Sequence, residues 1–226
     1  MRVENAEDFS SPKNDSAFLF LKNFSKKHGV FIHGGSICEK SDEKYYNTTV
    51  VFNPQGELIA RYRKIHLFCA NMVGKICYQE SDFFTGGSDI VAYSAENFNI
   101  GCTICYDLRF SELYEALRKR KVDIIMAPSA FFACTGCDHW KLLCQTRAIE
   151  TQSYVIAPNQ SGTYQVNGKD RVMWGHSMIV DPWGRVLAEM EDEEGFITVE
   201  IDRTVLQKVR SELPVVHSHQ IRKIIF

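Results

Sequence analysis

Apolar residues recur along this chain with two periods, and the switches between them mark its elements. Ala17, Phe20, Leu21 and Phe24 fall on one face of a helix over residues 17–27, which Asn14 or Asp15 can cap. Lys26-Lys27-His28-Gly29 ends that helix with cations and a glycine. The period then drops to two. A short strand is predicted at 30–32, running into Gly34-Gly35-Ser36, and a longer one at 47–52. Asn53-Pro54-Gln55-Gly56 has the residues of a type I turn, so 58–62 returns as the second arm of a hairpin. The same unit recurs late, with strand 177–180, turn Asp181-Pro182-Trp183-Gly184 and strand 185–188, a hint of internal two-fold pseudosymmetry.

Between the hairpins the pattern predicts a strand to Cys105, a helix at 112–121, a strand at 122–127, a helix from about 138 to 152 and a strand at 154–157. A last strand at 196–201 and a helix at 203–210 follow, and 162–170 reads as a polar surface loop. Hairpins mixed with strand–helix–strand units imply mixed sheets with helices packed on them, an α/β fold. In the strand to Cys105, Phe98, Ile100, Cys102 and Ile104 share one face; Asn99, Gly101, Thr103 and Cys105 share the other. Cys102 belongs to the apolar row. Cys105 stands on the small, polar row at the carboxyl end of the strand, the edge where open α/β sheets collect ligands. A thiol placed there is a candidate nucleophile.

Composition narrows the picture. A chain of 226 residues with 45% hydrophobic content fits one domain with a real core. A net charge of −2 without a basic block argues against a nucleic-acid partner. No apolar run approaches the roughly 20 residues of a membrane helix, and Met1 to Glu7 lacks the apolar segment of a signal peptide. Eight cysteines without framework spacing suit a reducing cytoplasm, and Asn47-Thr48-Thr49 is a glycosylation sequon on paper only.

A free thiol has a pKa of about 8.5 and needs a neighbouring cation or base to act at neutral pH. Lys64 is the best partner. Alternation sets it on one strand face with Tyr62, opposite Arg61 and Arg63, although the same spacing also describes a solvated basic edge strand. His66 is a rival base that alone reads as a structural histidine. Glu80 is a second acid–base candidate that alone reads as a surface acid, and Cys105 itself also fits a small buried hydrophobe.

Together these residues resemble a known family. Arg63-Lys64-Ile65-His66-Leu67-Phe68, Glu80-Ser81-Asp82, Cys105-Tyr106-Asp107-Leu108-Arg109-Phe110 and Gly175-His176-Ser177-Met178-Ile179-Val180-Asp181-Pro182-Trp183-Gly184 occur in the order and spacing of the carbon–nitrogen hydrolase (nitrilase) superfamily. Pro128-Ser129-Ala130-Phe131, His139-Trp140 and Arg147-Ala148-Ile149-Glu150-Thr151-Gln152 extend the match over nearly the whole chain. The nearest branch holds ω-amidases and deaminated-glutathione amidases, and the last two long motifs lean toward the deaminated-glutathione side.

The resemblance implies an α-β-β-α sandwich, a homodimer formed through its helices, and hydrolysis of a small-molecule amide without metal or organic cofactor. By that resemblance Cys105 attacks the amide carbon. Lys64 and the Tyr106 backbone N–H hold the oxyanion, Glu80 supports the lysine and the substrate, and Phe131 lines the pocket. Asp107 and Arg109 brace the nucleophile turn rather than touch substrate. Leu213-Pro214-Val215-Val216 falls where the family's tail reaches across the dimer.

Aligned backwards from Gly34-Gly35-Ser36, the family's general-base glutamate and its first strand, helix and second strand precede Met1. Glu4 and Glu7 match a later segment whose acid has no catalytic role. The expectation is a truncated domain with little or no turnover and a tendency to aggregate. Ser111, Cys69 and Cys137 depart from the family's usual proline, aspartate and proline. Two alternatives stand beside this reading. One is a catalytically dead relative that acts by dimerisation. The other is a zinc module built on Cys102-x-x-Cys105 and Cys134-x-x-Cys137, against which a spacing of three along a strand sets the first pair on opposite faces.

Overall fold

The computed structural model describes residues 3–72, 76–166 and 169–215. Two sheets lie face to face between helices. The first contains β1 (Glu7–Asp8), β2 (Ile32–His33), β3 (Ile37–Ser41), β4 (Lys44–Phe52) and β5 (Leu58–Arg63), with α1 (Ala17–His28) on its outer side. In it β4 pairs with β2, β3 and β5, and β1 adds to β3 in parallel. A small hairpin follows, β6 (Cys69–Met72) and β7 (Ile76–Gln79).

The second sheet contains β8 (Ala92–Ala95), β9 (Phe98–Cys102), β10 (Ile124–Met126) and β11 (Tyr154–Ala157). After the hairpin of β12 (Thr163–Val166) and β13 (Lys169–Val172) it is completed by β14 (Met178–Val180) and β15 (Val186–Glu189). Its order is β15-β14-β11-β10-β9-β8, with β9, β10 and β11 parallel. Helices α2 (Ser111–Lys119) and α3 (Ala133–Thr151) cover its outer face, and α4 (Arg203–Glu212) ends the described fold.

The alternation read from the sequence decides which side each residue takes. Val51 and Tyr62 of the first sheet meet Tyr93, Ala95, Cys102 and Ile104 of the second, the dry seam between the sheets. On the outer side, Ile125, Ala127, Val155 and Val180 pack against Leu113, Leu117, Trp140 and Ala148 of α2 and α3. The layers are therefore α-β-β-α. Both predicted hairpin turns form alike. Asn53 and Asp181 each accept two backbone N–H bonds through Oδ1, and Gly56 and Gly184 take φ of +76° and +88°, a region that glycine enters without strain.

Five expectations are corrected. Ser16 caps α1, its side chain accepting from Leu19 N, and Glu7 adds a carboxylate over the Ala17 and Phe18 N–H groups. The buried stripe of α1 is Phe18 and Ser25 with Leu21 partly covered, while Phe20 is 64% and Phe24 42% exposed. Residues 17–21 are all apolar, so periodicity does not single out one face there. Helix α3 starts at Ala133 rather than near Asp138. Gly136 belongs to its first turns because Trp174 lies against it, and a Cβ there would sit 2.3 Å from the indole. Residues 162–170 are largely a β-hairpin instead of a loop, and 196–201 is not a strand. Ile197, Val199 and Ile201 alternate with exposed neighbours, but this stretch joins no ladder among the described residues. Of the predicted tail segment, Val216 lies outside the described residues, and the Leu213 carbonyl accepts from Gln152 Nε2 at 2.6 Å.

Candidate active site

The strand to Cys105 ends in a tight reversal. Thr103 N and Cys105 N donate to the carbonyls of Met126 and Pro128, which carries the parallel pairing past β9 and β10. Cys105 itself has φ +50°, a left-handed conformation that costs a non-glycine residue about 1–3 kcal/mol and recurs at functional turns. A single 3-10 turn, Cys105–Arg109, then leads into α2. The geometry brings Cys105 to the carboxyl edge of the parallel strands, where the residue is half-buried.

Lys64 follows the last residue of β5 and is 3% exposed. Its Nζ donates to Glu80 Oε2 at 2.5 Å. Glu80, 5% exposed, also accepts from Phe68 N at 2.6 Å and from Asn47 Nδ2 at 2.9 Å. The readings of Lys64 as a solvated edge lysine and Glu80 as a surface acid are thereby removed. The opposite face of β5 is not bare either. Arg61 and Arg63 both pair with the buried Glu39, whose Oε2 also accepts from Thr48 Oγ1. Burial pushes the Cys105 thiol above its ordinary value, the Lys64 charge and a bond from the Ala130 backbone pull it down, and Glu80 and Asp107 add to the rise.

Tyr106 turns its ring onto Phe68 and Phe110, with centroids 5.1 and 5.3 Å away. Phe131 is buried against Trp140, and the Arg109 guanidinium lies 5.4 Å over its ring. His66 is committed elsewhere: Nδ1 lies 2.8 Å from Asp107 Oδ1, and the ring stacks on Phe110 at 3.8 Å. The two CxxC pairs do not converge. Cys102 is fully buried in the seam, Cys134 and Cys137 lie on the first turns of α3, and no cluster of three or more metal-ligating side chains occurs among the described residues.

Three positioning residues escape sequence reasoning. Asn47, noticed only as a sequon, is buried with Thr48 and Thr49 in β4 and holds Glu80. Arg147 donates through Nε to the Leu108 carbonyl inside the Cys105–Arg109 turn. Asn159 accepts from Phe131 N and donates to the Gly175 carbonyl. The neighbours of Asn47 and Asn159 in sequence are themselves partly polar and gave no signal, and Arg147 was noted only within the motif Arg147-Ala148-Ile149-Glu150-Thr151-Gln152.

A carbon-nitrogen hydrolase family profile matches residues 3–211. The chain belongs to the carbon-nitrogen hydrolase family. Omega-amidase NIT2 of Xenopus tropicalis and of Homo sapiens are each 38% identical to this carbon-nitrogen hydrolase over 195 residues, 86% of its length and 70% of theirs. Nit3 of Saccharomyces cerevisiae, a member of branch 10 of the nitrilase superfamily, superposes with a TM-score of 0.84 at 31% identity, over 97% of this chain and 75% of Nit3. The Caenorhabditis elegans NitFhit protein gives 0.84 at 32% identity, over 92% of this chain and 50% of its own. The nitrilase fold expected from the motifs is the fold observed, and the chemistry that comes with family and relatives is amide C–N hydrolysis by an amidase.

Proposed function

We propose that this amidase opens the amide of a small linear ω-amide, of the ω-amide or deaminated-glutathione type, through a thioester on Cys105. The observation that carries the reading is the buried Lys64–Glu80 pair, whose lysine acts by charge on the Cys105 thiol. The sulfur attacks the amide carbon, and Lys64 Nζ with the Tyr106 N–H holds the oxyanion, a term often worth about 3–4 kcal/mol per donor. The C–N bond breaks as the nitrogen gains a proton and leaves as ammonia. Water then hydrolyses the thioester and frees the acid and the thiol. Phe131 shapes the pocket, and no cofactor enters.

The step that needs help is the first proton transfer. Glu80 and Asp107 are the two carboxylates whose charge acts on the thiol, and both are already committed, Glu80 to three donors and Asp107 to four. Among the described residues no uncommitted carboxylate acts on the thiol, so this transfer is the step expected to limit turnover.

Ammonia release from α-ketoglutaramate and deaminated glutathione tests this, in the chain as given, in a version extended upstream with a relative's general-base glutamate, and in Cys105→Ala of each. Activity in the extended protein that Cys105→Ala abolishes supports the reading, and the preferred substrate assigns the branch. Release that survives Cys105→Ala overturns it. No turnover in either form leaves the second reading, a non-catalytic dimer-forming relative. A homodimer through α3 is favoured by Leu142, 65% exposed, and Ile149, 51% exposed. Free thiols such as Cys102, Cys105 and Cys144 suit a reducing cytoplasm.

A further inference from the structure

Asp107 is wholly buried and sits two residues past Cys105. Its carboxylate receives four bonds from the two segments that the proposed chemistry must bring together. On Oδ1 it accepts from His66 N at 3.0 Å and faces His66 Nδ1 at 2.8 Å. On Oδ2 it accepts from Tyr62 OH at 2.7 Å and from Ile104 N at 2.8 Å. Tyr62 and His66 flank Lys64 at two residues on either side, and Ile104 directly precedes Cys105. We propose that Asp107 is a positioning residue, its single carboxylate fixing the Lys64 segment to the Cys105 turn. The inference rests on the reading that Lys64 serves Cys105.

The chemistry of the site explains why a carboxylate is needed. Ionised aspartate is acceptor-only, which suits a site ringed by donors. The two backbone N–H groups bond to different oxygens, His66 N to Oδ1 and Ile104 N to Oδ2. An asparagine at 107 keeps one acceptor. Whichever way its amide turns, either the lysine side or the cysteine side loses its backbone tie. The titratable and charged groups facing the Cys105 thiol are Lys64, Glu80 and Asp107, and the pull of Lys64 on the thiol is larger than the push of Asp107. Two roles for Asp107 therefore predict opposite signs. If it only contributes charge or bulk, Asp107→Asn removes a negative charge and makes Cys105 easier to ionise. If it positions Lys64, the larger effect of the lysine is lost and Cys105 becomes harder to ionise.

The test is the rate of iodoacetamide alkylation at Cys105 across pH 6–10, followed by peptide mass mapping in the full chain. Circular dichroism accompanies it to confirm that the variants are folded. Asp107→Asn is expected to slow alkylation at pH 8 by about threefold or more and to move the profile upward. An unchanged or faster rate overturns the proposal. If Asp107→Asn does not fold, Tyr62→Phe decides. It removes one tie without changing any charge, and about twofold slowing is expected, whereas an unchanged rate overturns the proposal. Lys64→Gln separates the underlying reading. If it fails to slow Cys105, the pairing of Lys64 with Cys105 is wrong whatever Asp107 does. If it slows Cys105 and Asp107→Asn does not, the positioning role alone fails.

Discussion

At Cys105 a strained backbone and a buried neighbourhood act on one atom. The left-handed turn brings the thiol to the strand edge, and burial pushes its pKa up. Lys64 is the opposing influence, and its value depends on being dry, because a charge acts far more strongly inside a protein than in water. Lys64→Gln keeps a donor for Glu80 and discards the charge. It is expected to lower amidase turnover at least 100-fold, by analogy with the loss of one oxyanion donor. Alkylation of Cys105 at pH 8 is expected to slow about tenfold, because losing the lysine charge moves the thiol's titration upward. Steady-state ammonia release and timed alkylation check the two effects, and equal rates in variant and parent sink the assignment. The place of Cys105 at the end of the strand's polar row was legible from the alternation. That Lys64 and Glu80 were buried together was not, since residues 16 apart in sequence meet only after β5 and the β6–β7 hairpin have folded back.

Among the elements, β5 shows how alternation sorts charge. Its inner row supplies Tyr62 and leads to Lys64, and its outer row supplies Arg61 and Arg63 to Glu39 of β3. Burial works to raise the Glu39 carboxyl, but Arg63, Thr48 and Arg61 outweigh it and hold the value below the ordinary 4.5. A carboxyl depressed in the folded state adds stability above its unfolded pKa, and that stability is lost as pH falls through the folded value. Glu39→Gln is therefore expected to cost about 2 kcal/mol at pH 7, a charged hydrogen-bond network reduced to a neutral one. The gap to the parent should begin to narrow below pH 4.5 and close only once pH has fallen through the depressed folded value. Urea unfolding at pH 7 and in the acid range measures both, and a gap that persists in acid refutes the charge argument. Sequence periodicity had assigned β4, β5 and the hairpin turns closely. It misplaced the inner face of α1, where five consecutive apolar residues carry no period.

Over the whole molecule, the layers leave α3 with one side on the sheet and another in solvent. Trp140, Cys144 and Ala148 face the core, while Leu142 and Ile149 are exposed and Trp183 on the β14–β15 turn is 48% exposed. A helix apolar on both sides is unusual for a surface element, and a second copy of the chain is the occupant that the family resemblance suggests. Leu142→Glu combined with Ile149→Glu is expected to shift the protein from dimer to monomer in sedimentation equilibrium, with its circular dichroism unchanged. A parent that is already monomeric at tens of micromolar refutes this interface. The long helix was expected from the sequence, but its first turn, from Ala133, was not. Which of its apolar residues would face solvent was not, because that depends on the direction from which the sheet approaches.

Local pattern by itself determined the alternation of strands and helices, the two Pro-containing hairpins, the polar row that ends in Cys105 and the family to which the motifs belong. These are properties of nearest neighbours along the chain, where φ/ψ preferences and side-chain period act directly. Only the tertiary structure decided that Glu80 is dry, that Asn47 holds it, that His66 is committed to Asp107 and that 196–201 finds no partner strand. Each of those depends on which groups reach one another across the folded chain, and the free energy of a polar group is set by its partners and its access to water, which sequence spacing does not specify.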